Sequence, residues 1–74
     1  MVEDRALVVE DSPEFRNLCV RMLEKEGFVT GSCSDGESGV AMAKAQAPEI
    51  ILLDVSLPGI DGFEVCRRIR EFSD

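Results

Sequence analysis

No histidine occurs among the 74 residues, and the three cysteines (Cys19, Cys33 and Cys66) are far apart, with no C-x-x-C pair. Structural zinc is held by imidazoles and paired thiolates, so this composition argues against a zinc site. An odd, scattered set of thiols also makes a poor disulfide framework. The expectation is three small buried hydrophobes in a reducing compartment. Basic residues are scarce too: 8 Lys and Arg stand against 15 Asp and Glu, a net charge of -7. Such a balance suits neither nucleic-acid phosphates nor an anionic membrane surface. No apolar run approaches the ~18 residues of a membrane span. The opening Met1-Val2-Glu3-Asp4-Arg5 lacks the charged-then-apolar order of a signal peptide. A cytoplasmic protein is expected. Linkers, repeats and low-complexity stretches are lacking as well, and 45% hydrophobic content fits a single small globular domain.

What the chain does have is two short apolar runs that each end in acid. Ala6-Leu7-Val8-Val9 leads into Glu10-Asp11, and Ile50-Ile51-Leu52-Leu53 leads into Asp54. Continuous apolar runs of this length read as central strands of a parallel sheet. A carboxylate just past the last apolar residue then sits at the strand's carboxyl end, where open α/β sheets hold their ligands. Phe28 to Cys33 alternates more weakly and suits an edge strand.

Helix signals fill the intervals. Ser12-Pro13 supplies a cap followed by a proline at the first helical position. Phe15, Leu18, Cys19, Met22 and Leu23 then recur at helical spacing as one apolar stripe, and Gly27 supplies a left-handed terminator. Asp35 caps a second helix, from about Gly36 to Ala45, with a shallow face of Val40, Ala41, Ala43 and Ala47. Pro48 stops it. Pro58-Gly59 suits the middle of a type II turn. Asp61 with Glu64 resembles a capping box for a third helix, whose stripe is Val65, Cys66, Ile69 and Phe72. Strictly alternating strands and helices give an α/β fold with a parallel sheet, and right-handed crossovers with the weak strand at the edge suggest the order 2-1-3. Glu10, Asp11 and Asp54 then meet in one crevice.

Crowded carboxylates raise one another's pKa unless a cation neutralises them. Magnesium is the natural cation, since it takes oxygen ligands and keeps waters that it shares with phosphate. A carboxylate beside such an ion can attack phosphorus, so Asp54 would become an acyl phosphate while Asp11 holds the metal. Either acidic site alone reads as a polar turn or helix cap. Their placement at equivalent strand ends, with a Pro-Gly turn after the second, favours a functional site.

The run Leu7-Val-Val-Glu-Asp-Ser-Pro13, and then Ile50-Ile-Leu-Leu-Asp-Val-Ser-Leu-Pro-Gly-Ile-Asp-Gly-Phe-Glu-Val65, resembles the receiver domain of bacterial two-component response regulators. Gly27 and Asp35-Gly36 fit the same pattern. The resemblance implies a flavodoxin-like (CheY-like) α/β fold. It implies that Asp54 is the phosphoacceptor, served by a histidine kinase. Metal binding by the same resemblance falls to Asp11 directly, to Glu10 through water, to Asp54, and to the backbone carbonyl of Ser56, with Mg2+ as the ion. Pro58 and Gly59 match the loop that shapes the site.

A complete receiver continues through two further strand-helix units, which carry a Ser or Thr and a Lys that bind the phosphoryl group. The chain is therefore expected to be a partial receiver over residues 1–74, truncated after its third βα unit. It is expected not to be an enzyme. Self-association is expected through the exposed third strand or by exchange of elements. An alternative function is a non-phosphorylated pseudo-receiver acting as a protein-interaction or dimerisation module. An aspartyl-phosphate hydrolase of the haloacid dehalogenase type is disfavoured, because Ser56 stands where those enzymes place a second Asp.

Overall fold

The computed structural model describes residues 4–54 and 62–72. Its elements run β1 (Arg5–Val9), α1 (Pro13–Lys25), β2 (Val29–Cys33), α2 (Gly36–Gln46), β3 (Ile50–Leu53) and α3 (Gly62–Arg70). All pairing is parallel in the order β2-β1-β3, as the strand–helix alternation implied. In the register, Val9 lies opposite both Cys33 and Leu53. The last apolar residues of the strands are thus level, and the acids that follow start from one rim.

The ends of the helices obey local chemistry. Ser12 Oγ accepts the Phe15 amide at 3.4 Å, and Pro13 opens α1. Gly27 follows α1 at φ 96°, a left-handed conformation that costs a side-chain-bearing residue about 1–2 kcal/mol. Asp35 caps α2 by accepting from the Ser38 amide at 2.8 Å and from its hydroxyl at 3.0 Å. Those bonds hold the Asp35 carboxyl below its ordinary pKa. Helix α2 ends on Ala47 at φ 48°, a left-handed cap just ahead of Pro48. On α3, Arg67 donates to both Glu64 oxygens, at 3.0 and 2.6 Å, and Arg68 donates to one at 2.8 Å. Together they draw the Glu64 pKa down to about 2. The expected turn at Pro58-Gly59 and the cap at Asp61 lie outside the described residues.

Packing is lopsided. Residues 6–9 of β1 are essentially inaccessible, and Leu7 and Val9 join Ala43 of α2 and Val65 of α3 in the core on one face of the sheet. The expected face of α2 is corrected here. Ala41 and Ala47 are exposed, while Gly36, Gly39 and Ala43 are buried, with Val40 and Met42 partly so. The small residues let α2 approach β1 closely. A Cβ on Gly39 would lie 2.9 Å from Val9 Cγ2 and 3.1 Å from Cγ1.

Gly39→Ala is accordingly expected to destabilise the fold. Overpacking costs about 1–3 kcal/mol, and the better helix propensity of alanine returns at most about 1 kcal/mol. Val9 is stiff and fully enclosed, so it has little room to yield. Thermal melts check this: a higher melting temperature in the variant would refute the close helix–strand approach.

Three further expectations need correction. The stripe of α1 is covered only in part: Cys19 and Leu23 are half-buried, while Phe15, Leu18 and Met22 are exposed by 54%, 51% and 59%. Helical periodicity marks which residues share a face, not whether something packs against it. Strand β3, by contrast, is the exposed third strand that was expected: it is only half-buried, with Leu52 exposed, because among the described residues it pairs on one edge alone. The cysteines do not share one environment: Cys19 and Cys33 are half-buried, whereas Cys66 is exposed. Phe72 also lies beyond the end of α3 and is exposed.

Candidate metal and phosphoryl site

The ladder itself builds the crevice. The Glu10 amide donates to the Cys33 carbonyl at 3.0 Å, and the Asp54 amide donates to the Val9 carbonyl at 3.1 Å. Each strand is thereby held to its neighbour up to the residue that bears an acid. Glu10, Asp11 and Asp54 each bring a carboxylate oxygen to within 4.8 Å of the others. Glu10 is only 9% exposed, Asp54 is half-buried and Asp11 is open to solvent. Ser56, the fourth expected metal-binding residue, lies outside the described residues.

Glu10 records the electrostatics of the cluster. The Ser12 amide, 3.2 Å from its Oε2, pulls its pKa down. Burial and the neighbouring Asp11 and Asp54 carboxyls outweigh that pull, so Glu10 titrates above its ordinary range. Metal-free Glu10 thus keeps its proton to higher pH than it would in the unfolded chain. A cation would remove that penalty.

The donor set fits one class of ion. Every ligand is a hard carboxylate oxygen, which suits Mg2+ and gives softer metals no thiolate or imidazole. Magnesium holds oxygen at about 2.1 Å, so oxygens on one octahedral shell lie at most about 4.2 Å apart. A spread of up to 4.8 Å suits direct ligation by some carboxylates and a bridging water for another. Below the acids, an open cavity of about 390 Å³ runs down the α1 side of the sheet, over Val8 and Leu52, to Phe15 and Cys19. Polar at the rim and apolar along its length, it leaves the carboxylates accessible.

One residue near the crevice gave no signal in the sequence. Arg16 sits in the first turn of α1 and reaches back to the rim, where its Nη1 donates to the Glu10 carbonyl at 2.9 Å. Off the apolar stripe, it reads as an ordinary surface charge. Only the return of α1 against the end of β1 brings it there.

Known proteins share this fold and much of this sequence. A family model described as the response regulator receiver domain matches residues 6–74. The transcriptional regulatory protein TcrA of Mycobacterium tuberculosis is 47% identical over 66 residues, covering 89% of this chain and 26% of TcrA. The chain spans between 26% and 30% of the length of such curated relatives. Among solved structures, response regulator TrrA of Thermotoga maritima, in complex with Mg2+-BeF, superposes with a TM-score of 0.86 at 34% identity. That match covers 92% of this chain and 59% of TrrA. TrrA bound to the histidine kinase ThkA gives the same TM-score at 33% identity, covering 95% of this chain and 60% of the matched one.

Proposed function

The chain belongs to the response regulator receiver domain family, and on that basis we propose that Asp54 is the phosphoacceptor of a two-component phosphorelay. Residues 1–74 would supply the first three βα units of a receiver. The phosphoryl donor is the phosphohistidine of a histidine kinase, a reading supported by the ThkA–TrrA structure. Glu10, Asp11, Asp54 and the Ser56 carbonyl hold Mg2+, a reading supported by the Mg2+-BeF complex of TrrA. The observation that carries the proposal is the convergence of three carboxylates at adjacent strand ends.

In the transfer, an Asp54 carboxylate oxygen forms a bond to phosphorus as the P–N bond to the kinase imidazole breaks. The imidazole leaves with that electron pair. The β1–β3 pairing at Val9 holds Asp54 at the mouth of the crevice, where a phosphoryl group can approach in line. When bound, Mg2+ supplies charge neutralisation for both the carboxylates and the incoming phosphoryl oxygens. The product is a signalling state, so the chain acts as a relay component and not as an enzyme. We place it in the cytoplasm on the strength of its family. Among the described residues no helix is long and apolar enough to cross a membrane.

A second reading is a non-phosphorylated interaction module, favoured by the partly uncovered apolar face of α1. That face, together with the open edge of β3, also supports self-association. Incubation with a small phosphodonor and Mg2+, read by intact mass, separates the readings. One added phosphoryl group on the native chain, none on Asp54→Asn and none with chelator are expected. Label persisting on Asp54→Asn would move the acceptor elsewhere, and Mg2+ binding without any label would favour the interaction module.

A further inference from the structure

We propose that Arg16 is a positioning residue of the carboxylate site, fixing the main chain from which Glu10 and Asp11 face Asp54. The inference rests on the metal-binding reading above and adds a residue to it. The β1 ladder ends with the Val9 carbonyl and the Glu10 amide, both bonded to neighbouring strands. The next group, the Glu10 carbonyl, lies past the last strand pairing and receives Arg16 Nη1 at 2.9 Å.

The same residue also closes the first turn of α1, its amide donating to the Ser12 carbonyl at 2.8 Å. Arg16 therefore ties the strand end and the helix start together across the segment that bears both acids. Within that segment, the Ser12 amide holds the Glu10 carboxylate and Ser12 Oγ holds the Phe15 amide. Among the hydrogen bonds of the described residues, the one from Arg16 reaches from the helix back to the strand end. Arg16 is half-buried, and its Nη1 bond to the Glu10 carbonyl brings its charge to the rim. A charge-assisted bond to a carbonyl is stronger than a neutral one and restrains the backbone accordingly.

The sign of one measurement tests the role. If Arg16 were only a nearby positive charge, removing it would leave the cluster more negative, and Mg2+ would bind more tightly. If it positions the ligands, removing it loosens them and Mg2+ binds more weakly. Calorimetric titration of the native chain and of Arg16→Ala, Arg16→Gln and Arg16→Lys with Mg2+ reads that sign, with circular dichroism confirming folding at the titration temperature. We expect affinity about 10-fold weaker in Arg16→Ala, the range seen when the support of a metal ligand is lost. Arg16→Lys should recover part of it. Unchanged or tighter binding in folded Arg16→Ala would overturn the positioning role while leaving the metal site standing. Should Arg16→Ala not fold, Arg16→Gln decides by the same sign. A native chain that takes up no Mg2+ would sink the metal reading and this inference with it.

Discussion

Replacing Asp11 by Asn is expected to weaken Mg2+ binding by on the order of 100-fold or more, since even loss of a ligand's supporting partner costs about 10–100-fold. The same variant is expected to raise the melting temperature of the metal-free chain. These opposite effects share one cause. Three carboxylate oxygens within 4.8 Å of one another repel in the absence of a cation. At that distance, a pair of charges costs about 1 kcal/mol at a water-like dielectric and about 3.5 kcal/mol at a protein-surface one. Asp11 is exposed, so the lower figure applies to its pairs. About 1 kcal/mol in a domain of this size corresponds to roughly 4–8 °C.

The Glu10 pH dependence has a definite sign. Because the fold raises the Glu10 pKa, the folded state binds protons that the unfolded chain has already lost. The Glu10 contribution to the stability of the metal-free protein therefore falls as pH rises through its transition and is fully present below the unfolded value, whereas Asp35 and Glu64 contribute in the opposite sense. The advantage of Asp11→Asn should be present at neutral pH and shrink in acid, where protonated Glu10 no longer repels its neighbours. Saturating Mg2+ reverses the order of stability, because only the native site gains from binding. Melts with and without Mg2+ at several pH values check all three statements. A metal-free Asp11→Asn chain less stable than native at neutral pH would mean that Asp11 serves as structure and not as a ligand.

The sheet was legible because its signals are local and strong. Ile50 to Leu53 is all β-branched or leucine and becomes β3 as read, and Ser12-Pro13, Asp35 and Gly27 each punctuate a helix by side-chain or backbone chemistry that needs no tertiary context. The meeting of Glu10, Asp11 and Asp54 was legible for a related reason. Parallel strands joined by right-handed crossovers bring their carboxyl ends to one rim, so position along a strand stands in for position in space. Burial was not legible in the same way. Phe15, Leu18 and Met22 are spaced like core residues, yet among the described residues each stays more than half exposed. The missing Cβ of Gly39 is what admits Val9, a requirement that helix propensity does not record. Arg16 escaped notice because its partner is a backbone carbonyl, which leaves no trace in side-chain pattern.

At tens of micromolar, the 74-residue chain is expected to sediment as a species larger than the monomer. Its α1 presents Phe15, Leu18 and Met22, each more than half exposed, and Phe15 also lines an apolar cavity floored by Val8 and Leu52. Contiguous apolar surface of this kind marks an association site. Strand β3 adds a second device, since its edge away from β1 carries no partner strand among the described residues and can template pairing. The net charge of -7 opposes any contact between copies. Added salt screens that repulsion, so association should strengthen with ionic strength, opposite to a contact held by ion pairs. Leu18→Lys should weaken self-association at least about 10-fold, because removing one leucine from the contact forfeits about 1.5–3 kcal/mol. Leu52→Lys discriminates between the modes: it disrupts pairing along β3 and the floor of the cavity, while leaving the outer face of α1 intact. If Leu18→Lys acts and Leu52→Lys does not, the helix face is the contact. If both act, copies meet across β3 with their cavities facing. Sedimentation of the native chain as a compact monomer at every concentration, with a cooperative melt, would show instead that the small core of Leu7, Val9, Ala43 and Val65 suffices alone.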